Sequence, residues 1–303
     1  GATIAANYAA AAVGTETSGS ILSPSSANSL VGLKPTTGLL SRGGIVPISS
    51  TLDTPGPMTR NVIDNAILLS AMSGEDSRDA ATKDNPKGKT YWEDLKEGSL
   101  SGLRFGAFKN FLEDSLYRLS VDKIKSLGGI VVEIESEQVN LEGFGTLLSA
   151  DMYFDLPSYL EEYAADNIPF HSVADIVAYN KIDSAIKIPY GQGRFAGILK
   201  DTLSKEDLMK LRERLHEAGV SYFDKPMSEN QLDAVLSINN YSAGFAAAAK
   251  YPCLTIPMGY EKTGRPKGIT FIARPFEEDK LLKMGYAFEQ ATQLRKVPGD
   301  YQH

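Results

Sequence analysis

Gly14-Thr15-Glu16-Thr17-Ser18-Gly19-Ser20, continuing as Ile21-Leu22-Ser23-Pro24, decides how the rest of the chain is read. Small and hydroxylated side chains leave the backbone N–H groups of such a loop uncovered, and glycine permits turns that aim several of them at one point. A hydroxyl at the loop's end, Ser20, then lies beside those donors. Acyl transfer needs that pairing, because its tetrahedral intermediate carries a developing oxyanion. Ser20 is therefore the candidate nucleophile, and Thr17, Ser18 and Gly19 are the candidate oxyanion donors through their main chain. The same residues also describe an ordinary turn between two buried elements. Composition alone leaves both readings open.

Outward from the loop, the opening run Gly1 to Val13 is rich in alanine and reads as a tightly packed internal helix. Ser29–Lys34 reads as a short buried strand ending at Pro35. Pro35 to Pro57 is dense in Gly and Pro but interspersed with Leu39, Leu40, Ile45, Val46 and Ile48, which predicts an ordered irregular loop on the core. A helix is expected at Val62–Met72, stopped by Gly74, and Glu75 to Gly98 reads as a polar surface excursion. A β-α-β unit follows: strand Leu103–Phe108, helix Ser115–Leu127, and strand Ile130–Ile134 after Gly128-Gly129. Residues 139–220 are mainly helical. Ser204 and Asp207 fit a capping box there, ahead of Leu208, Leu211 and Leu215 at helical spacing. Strands Ala234–Ile238, Leu254–Met258 and Ile269–Ala273 and a last helix Leu281–Gln293 complete the pattern. Alternating strands and helices give an α/β class, with a mixed or mostly parallel sheet covered on both faces.

Composition narrows the chemistry. The chain has 303 residues, 42% apolar and 23% charged, enough for a sizeable core. A net charge of −7 with no basic cluster argues against nucleic acid as a partner. No segment reaches the ~20 apolar residues of a membrane span. One cysteine and three histidines leave little for a disulfide framework or a His/Cys metal site, and no metal is expected. Cys253, in an apolar run, reads as a buried inert thiol. His216, beside a leucine stripe, reads as a packing residue.

GTETSGSILSPSSANSLVGLKPTTGLLSRGGIVPISSTLDTPGPMTR, Gly14–Arg60, closely resembles the signature segment of the amidase signature family. Within that family it is most similar to the branch of peptide amidases and cyclic-dimer hydrolases. Phe154–Leu160, Ser172–Asn180, Tyr190–Gln192, Tyr251–Tyr260 and Gly285–Thr292 resemble the same branch, so the likeness covers nearly the whole chain. It implies a mixed β-sheet sandwiched between helical layers, and an amide hydrolase whose nucleophile is Ser20. Thr15 resembles a threonine that hydrogen-bonds near the site. Asp53 resembles a loop aspartate expected to bond backbone N–H groups, and Lys34, in GLKPT, a signature lysine that is not the general base. The family's base is a neutral lysine, relayed through a second serine held by a cis peptide bond. Both positions fall ahead of Gly1. The expectation is therefore an N-terminally truncated, C-terminal part of one amidase domain (1–303, with 139–220 a helical elaboration), inactive by itself and prone to self-association.

The resemblance requires no cofactor, and implies a small-molecule or peptide amide as substrate. Tyr153, Phe154, Gln192, Asn239 and Asn240 lie in segments that could line the pocket in this branch. The chain departs from the family pattern at Leu22 and Ser23, where many members carry Arg, and at Ser18, which leaves substrate specificity unassigned. Two rival readings stand beside amide hydrolysis: the amidase-like (A-type) component of a glutamyl-tRNA amidotransferase, and a non-catalytic amidase-like protein.

Overall fold

The computed structural model describes residues 1–83, 85–86, 89–200 and 203–299. Among them are eight strands: β1 (Ala11–Glu16), β2 (Val31–Lys34), β3 (Thr54–Thr59), β4 (Arg104–Phe108), β5 (Ile130–Ile134), β6 (Ala234–Ile238), β7 (Cys253–Tyr260) and β8 (Pro266–Ile272). They form one sheet in the order β1-β3-β2-β7-β8-β6-β4-β5. β4 runs parallel to both β5 and β6, and the other pairings are antiparallel, so the sheet is mixed. The first helices are α1 (Ala2–Ala5), α2 (Leu22–Ala27), α3 (Val62–Met72), α4 (Ser115–Ser126) and α5 (Phe144–Tyr163). The rest are α6 (Val173–Ile182), α7 (Ser184–Lys187), α8 (Gly193–Ile198), α9 (Lys205–Glu229), α10 (Ala243–Ala249) and α11 (Glu278–Thr292). None of these is long and apolar enough to cross a membrane.

Side chains alternate across the strands and so divide the core into two layers. Leu33, Phe105, Leu236, Leu254 and Phe271 face one way and are covered by α3, α4 and α11. Phe108, Val235, Cys253 and Ile272 face the other, under α2, α9 and α10. The helices start where their caps allow. Asn61 Oδ1 accepts the Asp64 amide at 2.8 Å, Asp114 Oδ1 accepts those of Leu116 and Tyr117, and Ser204 Oγ accepts that of Asp207 at 3.1 Å. The helical block runs to Glu229, beyond the expected residue 220. α9 packs against α5 through Leu147, Leu208 and Leu215, then continues over the sheet through Tyr222, Phe223 and Met227. It fastens the block to the core.

Two readings of the first sixty residues need correction. The alanine-rich opening is helical only over Ala2–Ala5, and Ala11–Glu16 is an edge strand paired with all six residues of β3. Tertiary pairing outweighs alanine's helix propensity there. The small side chains also let β3 sit close: a Cβ on Gly14 would stand 2.7 Å from Met58 Sδ. Thr54-Pro55-Gly56-Pro57 belongs to β3 itself. The β2 ladder reaches only Met58 and Thr59, and Asn65 Nδ2 donates to the Pro57 carbonyl at 3.1 Å, so the missing proline N–H groups cost no ladder bond. The excursion after Gly74 is irregular, yet Tyr91, Leu95 and Leu100 are buried against α3 and α11 and belong to the core.

Candidate active site

Glu16 closes β1, and the chain bends through Thr17–Gly19 into the short helix α2. The position is set by alternation along β1: Val13 and Thr15 are exposed, whereas Glu16 points inward and is 1% exposed. Its Oε2 accepts the amides of Ile21 at 2.8 Å and Leu22 at 2.9 Å, and the Gly19 amide also lies against this carboxylate. One buried acid thus gathers the backbone on both sides of Ser20. The Ser20 side chain itself is exposed. Among the described residues, the amides of Ser18 and Ser20 donate to no protein acceptor. Gly19 has φ of +113°, a conformation open to glycine, and a Cβ there would meet Asn240 Nδ2 at 3.0 Å.

A second carboxylate holds the start of the loop. The buried Thr17 hydroxyl donates to Asp53 Oδ1 at 2.6 Å, while Asp53 Oδ2 accepts the amides of Ile48 and Ser49, each at 2.8 Å. Burial pushes the Asp53 carboxyl above its ordinary range, against the pull of the Thr17, Ser49 and Ile48 donors. Asp53 therefore bonds backbone N–H groups, and it also ties them to the loop. The same turn is gripped from α5. The Ser49 hydroxyl donates to Asp151, which is fully buried and accepts Arg212 Nη2 of α9 at 2.6 Å, and the Ser50 amide donates to Asp155 at 2.6 Å.

Beside this turn lies a cavity of about 210 Å³, lined by Ile45, Pro47, Asp53, Asp155, Tyr159 and Tyr163, among others. Arg42 borders it but is committed to Asp79, with Nε and Nη2 bonded to both carboxylate oxygens. Asp155, Tyr159 and Tyr163 recur every four residues on α5 and so share a helix face. That spacing was available in the sequence as a signal for these lining residues. Glu16 gave no such signal, because a carboxylate in a Gly/Ser loop reads as solvated.

The remaining candidates separate. Asn240 is brought against the loop at Gly19. Asn239 is pinned to β8: its amide donates to the Gly268 carbonyl at 2.8 Å and its Oδ1 accepts the Gly268 amide at 2.8 Å. Phe154 packs in a satellite core with Leu52 and Leu147, and Tyr153 stacks on it edge to face at 5.2 Å. Gln192 is held within the helical arm, accepting from Asn180 at 3.1 Å and donating to the Val177 carbonyl at 3.2 Å. Thr15 projects from the exposed side of β1, opposite Glu16. Lys34 Nζ donates to the carbonyls of Tyr251 at 2.6 Å and Pro35 at 3.1 Å, and His216 Nδ1 lies 2.9 Å from the Ala248 carbonyl. Cys253 is fully buried and its thiol is pushed up to about 12, chiefly by that burial.

Known proteins carry the same arrangement of chain. The sequence profile described as Amidase matches residues 1–178. A probable amidase of Arabidopsis thaliana is 35% identical over 308 residues, covering 97% of this chain and 59% of its own length. The A-type component of the glutamyl-tRNA(Gln) amidotransferase of Levilactobacillus brevis is 31% identical, covering 98% and 67% respectively. The crystal structure of native peptide amidase from Stenotrophomonas maltophilia superimposes with a TM-score of 0.91 at 33% identity, over 99% of this chain and 66% of that one. The chain thus spans about six-tenths of the length of the Arabidopsis relative. On the profile match, the identities and the shared mixed sheet, the chain belongs to the amidase signature family.

Proposed function

We propose that this chain carries the nucleophile and oxyanion-binding part of an amide hydrolase acting on small-molecule or peptide carboxamides. Ser20 Oγ attacks the amide carbon, and backbone N–H groups of the loop stabilise the oxyanion that forms, those of Ser18 and Ser20 being without a protein acceptor among the described residues while that of Gly19 is turned to Glu16. Ammonia or an amine leaves, and water then releases the acid from the acyl-enzyme. The observation that carries this reading is the exposed Ser20 hydroxyl on a loop tied from beneath by Glu16 and from the side by Asp53. The cavity beside Asp53 is the proposed place for the substrate's side groups.

The proton acceptor in this proposal is the neutral lysine, relayed through a second serine, that the resemblance puts ahead of the position of Gly1. The test uses the protein extended upstream of Gly1, assayed for ammonia release from peptide amides. Ser20→Ala is expected to reduce turnover by about a thousandfold or more. Retained turnover in that variant would overturn the assignment. The 31% identity to an amidotransferase component supports one rival reading, in which the same loop releases ammonia from glutamine for a partner. Glutamine-dependent transamidation of charged tRNA after co-purification with partner proteins would select it.

A further inference from the structure

The surface of the sheet beneath the Ser20 loop holds a group of buried ionisable side chains that the proposed chemistry does not use. Lys34 on β2 is 0% exposed and Glu16 on β1 is 1% exposed. Strand register puts them on one face. Gly14 pairs with Gly56, Glu16 follows two residues after Gly14 on β1, and Lys34 pairs with Cys253 on the inner face of β7. Between the two long side chains the strands carry only Gly14 and Gly56, and the buried Ile21 side chain packs over both. Each end also keeps an unused valence. Lys34 Nζ has two carbonyl acceptors for three hydrogens, and Glu16 Oε1 is buried with no hydrogen-bond partner among the described residues. Each charge favours the ionised form of the other. Lys34 is the first lysine or arginine in the chain, so no cation nearer to Ser20 in sequence neutralises Glu16.

We propose that Lys34 is a positioning residue for the Ser20 loop, acting through the Glu16 carboxylate. With Lys34 charged, Glu16 remains an anion and holds the amides of Ile21 and Leu22 in charge-assisted hydrogen bonds. Without that cation the buried carboxyl takes up a proton, one acceptor weakens, and the turn that presents Ser20 loosens. Burial drives Glu16 toward its protonated form and Lys34 toward its neutral form, and each opposes the other's shift. The other ionisable groups that act on Lys34 are the Cys253 thiol on β7, which is held neutral, and Glu278 on α11, whose Oε1 accepts the Thr36 amide at 2.7 Å. The inference deepens the reading of Ser20 as nucleophile, but its test is made on the loop and requires no turnover.

In protein labelled with ¹⁵N-isoleucine and ¹⁵N-leucine, the Ile21 and Leu22 amide signals are followed from about pH 4 to about pH 9. The expected result is one shared transition that vanishes in Glu16→Gln and survives in Glu278→Gln. Lys34→Met should move its midpoint upward by about one pH unit or more, since losing a nearby cation favours the neutral carboxyl. An unchanged midpoint in Lys34→Met, or a transition that persists in Glu16→Gln, overturns the proposal. If Lys34→Met does not fold, Lys34→Gln, which keeps a donor for the Tyr251 carbonyl, should show the same upward move. Denaturation of both single variants and the double variant gives an independent readout. Lys34→Met should lower the folding constant about tenfold less when Glu16 is already Gln, and strict additivity would sink the pairing. Ser20→Ala should leave these signals in place, so a failed hydrolysis assay and a failed titration point to different errors.

Discussion

The segment from Gly14 to Arg60 and the helical arm from residue 165 to 200 are built on opposite terms. In the first, buried polar groups hold backbone: Glu16 binds Ile21 and Leu22, Asp53 binds Ile48 and Ser49, and Lys34 binds two carbonyls. Its strand glycines, Gly14, Gly32 and Gly56, have no room to spare. A Cβ on Gly56 would come within 2.1 Å of the Leu33 carbonyl oxygen, and one on Gly32 within 2.2 Å of Ser25 Oγ. In the arm, Gly191, Gly193 and Gly197 have nothing within 4 Å of such a Cβ, and Ile182, Ile186 and Tyr190 are 76%, 78% and 100% exposed. A region whose backbone is fixed by close approach accepts few sequences. A region held by a thin apolar layer accepts many. The loop that carries Ser20 belongs to the first kind, as do Ile45, Pro47 and Asp53 of the cavity, whereas Tyr159 on its α5 wall packs against the second.

Substitutions can break this contrast, beginning with the tightest site. Gly56→Ala should destabilise the protein by about 3 kcal/mol or more, because the clash is with backbone; chemical denaturation measures it, and a stability near that of the parent would refute the close packing. Asp53→Ala strands the Thr17 hydroxyl and two amides, and should cost about 2–3 kcal/mol. In the protein extended upstream of Gly1 it should also lower kcat more than it raises KM. Glu289 gives a pH test in the opposite layer. It accepts the first amide of α3, Val62, and burial raises its carboxyl to about 7. The folded state therefore binds this proton more tightly than the unfolded chain. The resulting stabilisation is full below the ordinary value of 4.5 and is lost as pH rises through about 7. After allowance for solvent screening, a loss on the order of 1–3 kcal/mol across that window is expected, and Glu289→Gln should flatten it in thermal melts. The smallest effect belongs to the arm. Gly197→Ala, inside α8 with open space around it, should raise stability by about 0.5 kcal/mol, and a marked loss would show that the arm is packed like the signature segment.

Much of the central architecture was legible because local chemistry agreed with the fold. β4, α4 and β5 were anticipated to within a residue or so, since apolar patterning and Gly128-Gly129 mark their boundaries, and the Asp114 cap found in the structure agrees with them. α3 and β6 were legible for the same reason. β1 and β3 were not: alanine favours helix and paired prolines disfavour strand, and only the mutual pairing of the two segments reverses both preferences. In the site, Ser20 and Asp53 were singled out by the resemblance of Gly14–Arg60 to the signature segment, and Asp53 bonds the Ile48 and Ser49 amides as that resemblance implied. Glu16 was hidden, because nothing in a single sequence tells a fully buried carboxylate from a solvated one. The pocket choices at Phe154 and Gln192 rested on segment likeness, and each side chain proves to be occupied with packing or hydrogen bonds inside its own helical neighbourhood.

The turn at Ser49-Ser50 is clasped by Asp53 from its own loop and by Asp151 and Asp155 from α5. Because Asp53 also grips Thr17, the wall of the cavity and the loop that carries Ser20, the proposed nucleophile, are parts of one bracket. Transplanting α5 from a relative to reshape the cavity would bend that bracket. Such a chimera should work only when the turn and both of its α5 carboxylates are moved together.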